Sequence, residues 1–127
     1  MKRNITTLYV DDEEINLKLF EMQFQVIYTV ITATSGKEGL QKLNKYRNDI
    51  IVVISDMRMP NMDGIDFITE ARKNFNNIAY FILTGFDYNE KIDTALKNNI
   101  IQKFFTKPFD INEIREAVKF AIEELDL

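Results

Sequence analysis

Ile50-Ile51-Val52-Val53-Ile54-Ser55-Asp56-Met57-Arg58-Met59-Pro60-Asn61-Met62-Asp63-Gly64 is the stretch that decides the fold. Five consecutive β-branched apolar residues read as a strand buried on both faces, and such strands belong to parallel sheets. One carboxylate, Asp56, stands at the end of the run, so the strand itself sets its position. Met59-Pro60 stiffens the exit, and Asp63-Gly64 reads as the turn into a helix.

Outward from this stretch the same punctuation recurs. Ile5 to Val10 reads as a first strand that ends in four consecutive acids, Asp11-Asp12-Glu13-Glu14. Ile15, Leu19 and Met22 recur at helical spacing and predict a first helix. Tyr28 to Ala33 is β-branched and aromatic, a second strand. Ser35 with Glu38 is a capping-box pattern that opens a second helix through Leu40 and Leu43. Beyond Gly64, Phe67, Ile68, Ala71 and Phe75 mark a third helix, and Ala79 to Thr84 a fourth strand. Asp87 and Glu90 start a fourth helix carrying Ile92, Ala95 and Leu96. Gln102 to Thr106 is a fifth strand closed by Lys107-Pro108. Asp110 with Glu113 opens a last helix with an apolar stripe of Ile111, Ile114, Ala117, Val118, Ala121, Ile122 and Leu125.

Five strand-helix units in strict alternation predict an α/β fold, a doubly wound five-stranded parallel sheet with five helices, because parallel neighbours need right-handed helical crossovers. The 127 residues, 46% hydrophobic and 28% charged, suit one core, and residues 1–127 are expected to form one domain. Without cysteine there is no disulfide, zinc-thiolate site or thiol nucleophile, which fits a reducing cytoplasm. Without histidine there is no Ser-His-Asp triad, no His metal cluster and no phosphohistidine on this chain. A net charge of −4 with no long basic run argues against direct nucleic-acid binding. Neither a signal-peptide core nor a membrane-length apolar run occurs, so no membrane partner is expected.

In doubly wound sheets ligands gather outside the carboxyl ends of the strands. The residues there are Asp11 and Asp12, Asp56, Thr84 and Lys107. Singly, each has a plain structural use: a helix cap, a turn, a satisfied backbone group, a solvated strand end. As a set on one rim they describe a site. Three clustered carboxylates repel one another and need cations to stay ionised. Lys107 supplies one charge, and a hard divalent ion with oxygen ligands, magnesium rather than zinc, supplies the rest. Such a rim attracts and orients a phosphoryl group, and an Asp carboxylate can itself be the nucleophile.

The chain resembles the receiver domain of two-component response regulators, the CheY-like fold, over essentially its whole length. The resemblance is carried by Val10-Asp11-Asp12-Glu13, by Asp56 through Gly64, by Leu83-Thr84-Gly85 and by Phe104-Phe105-Thr106-Lys107-Pro108-Phe109. It implies strand order 2-1-3-4-5, with Asp56 as phosphoacceptor. It also implies that Asp11, Asp12, Asp56 and the backbone carbonyl of Arg58 hold magnesium, for which manganese could substitute. Thr84 and Lys107 would each meet a phosphoryl oxygen, Thr84 and Phe104 would form the switch, and the Lys107-Pro108 bond would be cis. The implied donor is a histidine kinase or phosphotransfer protein. The implied output partner, attached effector domain or second copy in a phosphorylation-linked homodimer would use the fourth helix, fifth strand and fifth helix. Beyond its own phosphorylation and dephosphorylation the domain would not be an enzyme. It is expected either to stand alone or to be part of a longer regulator or hybrid kinase.

Some positions depart from the usual pattern. Lys97 to Gln102 is a partly apolar connection, of which one isoleucine, Ile100 or Ile101, is expected beneath the fourth helix. Phe104 lacks the hydroxyl of the commoner Tyr. Gly85 leaves the phosphoryl path open, and Arg58 with Phe86 either shield an acyl phosphate from water or are two plain surface side chains. Other classes fit less well. A haloacid-dehalogenase-type phosphatase wants an Asp where Arg58 stands, and Asp11 to Glu14 would repel the phosphate of a flavin mononucleotide. No Gly-rich dinucleotide or Walker sequence occurs. A docking module without phosphorylation has no need of Asp56, Thr84 and Lys107 together.

Overall fold

The computed structural model describes residues 4–85 and 89–125. Strands β1 (Thr6–Val10), β2 (Thr29–Ala33), β3 (Ile50–Asp56), β4 (Ala79–Thr84) and β5 (Lys103–Thr106) alternate with helices α1 (Glu14–Phe24), α2 (Gly36–Lys45), α3 (Gly64–Arg72), α4 (Glu90–Lys97) and α5 (Ile111–Glu124). All pairings are parallel, and the sheet order is β2-β1-β3-β4-β5. The order reverses between β1 and β3, which leaves a crevice at their carboxyl ends.

Alternate residues of the inner strands feed two cores. Leu8, Val10, Val53 and Ile82 pack under α2, α3 and α4 with Leu43, Phe67 and Ile92. Tyr9, Val52, Ile54, Phe81 and Phe105 pack under α1 and α5 with Leu17, Phe20, Phe24, Ile114 and Val118. Helices cover both faces, which is why Ile50 to Ile54 carries no polar side chain. Register pairs Val10 with Ser55 and Asp56 with Leu83, so these strands end level with one another.

The first helix is present, but the residues that announced it do not face the core. Ile15, Leu19 and Met22 are exposed, while Leu17, Phe20 and Phe24 form the buried face. The helix has two apolar stripes, and the aromatic one wins the sheet because its rings stack on Tyr9 and Tyr28. Tyr28 closes the end of α1 through its N–H to the Phe24 carbonyl, so β2 begins one residue later, at Thr29.

Caps explain other boundaries. Ser35 accepts from the Glu38 N–H, but Glu38 returns its bond to the Thr34 N–H instead of closing the box on Ser35. The cap of α4 is Asn89, whose side chain accepts from the Ile92 N–H; Asp87 and Phe86 lie outside the described residues. Asp110 accepts from the N–H groups of Asn112 and Glu113. Asp63 and Asp66 form a reciprocal capping box at α3. Gly64 is required there, since a Cβ would stand 2.3 Å from the Asp56 carbonyl oxygen. Phe75 lies past the end of α3 and packs partly against the core.

After α4, Asn99 takes the left-handed conformation that asparagine tolerates, with φ 59°, and Ile100 N–H returns to the Ala95 carbonyl. Ile101 is buried with Ile92 and Ala95, and Ile100 packs at the edge of that cluster. Gln102 falls just outside β5, although its N–H and side-chain oxygen both bond to Tyr80 of β4.

Candidate functional site

β1 and β3 lie side by side at the centre of the sheet and present Asp11 and Asp56 on the same rim. One carboxylate oxygen from each of Asp11, Asp12 and Asp56 lies within 4.8 Å of the others. Lys107 enters from the end of β5, just before a Lys107-Pro108 bond that is cis. Its Nζ donates to Asp11 Oδ2 at 3.1 Å and to Asp56 Oδ1 at 3.3 Å. Four of the sequence-predicted residues therefore meet in one cluster.

The carboxylates differ in environment. Asp12 is exposed. Asp11 is wholly buried and receives four donors: the Tyr9 hydroxyl at 2.8 Å and Lys107 on Oδ2, the Glu13 N–H at 2.9 Å and Asn16 Nδ2 at 3.4 Å on Oδ1. Asp56 is 7% exposed. Among the described residues its donors, the Met57 N–H at 3.0 Å and Lys107, both go to Oδ1, and none goes to Oδ2.

Burial first, and then the charge of Asp11, pushes the Asp56 carboxyl up to about 6, against the opposing pull of Lys107 and the Met57 N–H. Burial works against the charge on Lys107, but Asp56 and Asp11 outweigh it and leave the ammonium above its ordinary range. Burial, followed by the charge of Asp11, holds the Tyr9 phenol far above its ordinary value, so its hydroxyl keeps its proton and donates. The cluster thus has more negative charge than one lysine balances. Its donors are all oxygen, which fits a hard divalent cation such as magnesium.

The other predicted residues stand around this cluster. Thr84 ends β4, 1% exposed, paired in register with Thr106. Phe104 pairs with Ile82 and is half-buried against the α4 side of the core. Arg58 is exposed on the loop after β3. A Cβ at Gly85 would meet Lys107 Cδ at 3.6 Å, an ordinary contact, so alanine would fit there.

Two features escaped the sequence reading. Tyr9 lies two residues before Asp11 and therefore on the same face of the strand, a period-2 signal that was available. Lys91 of α4 reaches back to the α3 cap, at 2.7 Å from Asp63 and 2.8 Å from Asp66. Those partners are 28 and 25 residues away, and no local pattern announces such a pair.

Residues 7–119 match the response regulator receiver domain. The chain belongs to that family. It is 33% identical to the sporulation initiation phosphotransferase F of Bacillus subtilis, over 91% of this chain and 92% of that protein. It is 36% identical to the transcriptional regulatory protein GlrR of Escherichia coli strain K12 over 92% of this chain, but spans only 26% of that regulator's length. A response regulator receiver domain protein from Clostridium thermocellum superposes with a TM-score of 0.83 at 30% identity, covering 94% of this chain and 95% of that one. The chain is thus a receiver domain of two-component systems, homologous to phosphorylatable response regulators. Receiver domains take phosphate from histidine kinases or phosphotransfer proteins, and they bind magnesium through an acidic pocket.

Proposed function

We propose that residues 1–127 form a phosphoacceptor switch in which Asp56 takes a phosphoryl group from a partner histidine. The observation that carries this reading is Asp56 itself. It is a buried carboxylate anchored through one oxygen, with the other free of donors from the described residues, beside two further acids and a lysine that bonds both Asp11 and Asp56.

Asp11, Asp12, Asp56 and the Arg58 backbone carbonyl would hold magnesium, or manganese in its place. When bound, the ion neutralises the acids and the equatorial phosphoryl oxygens. Asp56 Oδ2 attacks the phosphorus of the donor phosphohistidine. The O–P bond forms as the P–N bond breaks, and the electron pair leaves with the imidazole. Lys107 transfers its hydrogen bond from Asp11 to a phosphoryl oxygen, and the Thr84 hydroxyl moves to another. The displacement of Thr84 lets Phe104 turn inward, and the population of two conformations shifts. The domain acts on itself and turns over no separate substrate, so it is a switch and not an enzyme.

This chain carries no histidine, so the donor is a histidine kinase or phosphotransfer protein that must dock beside Asp56. The exposed stripe Ile15, Leu19 and Met22 on α1, with Val26 just past its end, supports that docking. A groove of about 430 Å³ links Leu19 and Asn16 to Lys107 and Pro108. The output surface is α4, β5 and α5, where a groove of about 680 Å³ borders Lys103, Glu113 and the exposed Phe120. An output partner, an attached effector domain or a second copy would bind there. No helix among the described residues is long and apolar enough to cross a membrane.

Incubation with magnesium and a small acyl phosphate should add one phosphoryl mass, and Asp56→Asn should add none. A folded wild type that stays unmodified would leave a docking module as the reading. Leu19→Asp should slow transfer from a partner phosphohistidine by about tenfold while leaving acyl-phosphate labelling intact; equal loss in both assays would move the docking site off α1.

A further inference from the structure

We propose that the groove between α4 and α5 docks a basic amphipathic helix of a partner protein, and that its charge turns away a second copy of this chain. The proposal deepens the reading of α4, β5 and α5 as the output surface and rests on it.

The groove of about 680 Å³ lies along β5, the edge strand of the sheet. Leu96, Ile101, Ala117 and Phe120 give it an apolar lining. Phe120 is 65% exposed, while Val118 and Ile122 of the same helix are buried. The ring is therefore open to a partner without any change in the core.

Glu113, Glu116, Phe120 and Glu124 follow one another at spacings of three and four and share one face of α5. All three glutamates are exposed and border the groove. No ion pair among the described residues involves any of them. Glu124 stands in the last turn of α5, which holds no basic residue. The helix dipole disfavours an acid there, so the stability of the helix does not account for it. Among the described residues Lys103 is the one cation that lines the groove, and its Nζ lies 5.7 Å from the centroid of the Phe105 ring.

Shape and charge together choose the occupant. β5 is four residues long and starts with a lysine, features that resist the addition of a strand to an edge. A helix that lays apolar side chains against Phe120 suits the groove instead, and basic flanks on that helix answer the glutamates. A two-fold axis would set the patch against itself, with three glutamates and one lysine from each copy. That repels a second copy and, on a chain of net charge −4, nucleic acid and anionic membrane too.

The probe is a labelled amphipathic helix of leucine and lysine, with a leucine and glutamate counterpart. Both are titrated by fluorescence anisotropy into the full unphosphorylated chain, in which the groove is already open. The lysine peptide should bind about tenfold tighter than the glutamate one. Phe120→Ser should weaken its binding about tenfold, and Glu116→Gln with Glu124→Gln about fivefold. Asp49→Asn with Glu70→Gln, which removes two charges outside the groove, should change it less than about twofold. Equal binding of the two peptides, full binding to Phe120→Ser, or an equal loss in the outside variant would overturn the proposal. So would a dimer in sedimentation equilibrium, before or after treatment with magnesium and acyl phosphate, that Phe120→Ser dissolves. Phosphoryl labelling of Asp56 is followed on the same preparations. Labelling without peptide binding refutes the basic partner alone, and peptide binding without labelling refutes the switch alone.

Discussion

Two lysines in this protein each bridge two aspartates. Lys91 reaches Asp63 and Asp66 at 2.7 and 2.8 Å; Lys107 reaches Asp11 and Asp56 at 3.1 and 3.3 Å. By distance alone Lys91 has the better pairs, but burial reverses the ranking. The Lys91 side chain is 46% exposed, with partners at 25% and 50%. The Lys107 side chain is 25% exposed, with partners at 0% and 9%. Water can replace Lys91 at its carboxylates, whereas the carboxylates around Lys107 are cut off from water and depend on it. The same ion-pair chemistry makes a weak tether at the surface and a poised site at the sheet rim.

The largest expected effect is on the buried cluster. Lys107→Met should lose about 2–3 kcal/mol of stability at pH 8 without divalent cations, because two acids are left uncompensated. Urea unfolding would show this. Added magnesium should restore part of the loss, and lowering the pH should shrink it as Asp56 takes up a proton. A loss no greater than that of Lys91→Met would break the comparison.

Asp56→Asn should act with the opposite sign. Asp56 titrates at about 6 in the folded protein against an ordinary 3.8, so the folded state holds its proton more tightly than the unfolded chain does. Its charge therefore opposes folding above about pH 6, and the opposition fades as the pH falls toward 4. The Asn variant, in which Lys107 keeps Asp11, should be more stable by about 1–2 kcal/mol at pH 8 without divalent cations and no more stable at pH 4. Melts at the two pH values check this. A destabilised variant at pH 8 would mean that Lys107 needs both acids.

The smallest effect belongs to the surface. Lys91→Met should cost less than about 1 kcal/mol, and the cost should disappear in about 1 M salt. A larger loss that salt does not change would show that the tether between α3 and α4 is worth more than its exposure allows.

The order of strands and helices was legible because each inner strand is apolar on both faces and each ends at a turn or an acid. The gathering of Asp11, Asp12, Asp56 and Lys107 was legible for the same reason, since strand ends on one rim must converge. The facing of α1 was not. Ile15-Leu19-Met22 and Leu17-Phe20-Phe24 both have helical period, and only the ring stack beneath the second decides between them. The turn at Asp63-Gly64 was legible, but the close approach that requires glycine there depends on where the Asp56 carbonyl ends up. The tether from Lys91 to Asp63 and Asp66 depends wholly on tertiary packing.

The most direct measurement is to locate the phosphoryl group. After incubation with magnesium and a small acyl phosphate, borohydride reduction converts an aspartyl phosphate to homoserine, and peptide mass mapping finds the altered residue. Conversion at Asp56, dependent on magnesium and absent at Asp11 and Asp12, is the expected result. Conversion at another acid, or none in the folded, magnesium-saturated protein, would contradict the account.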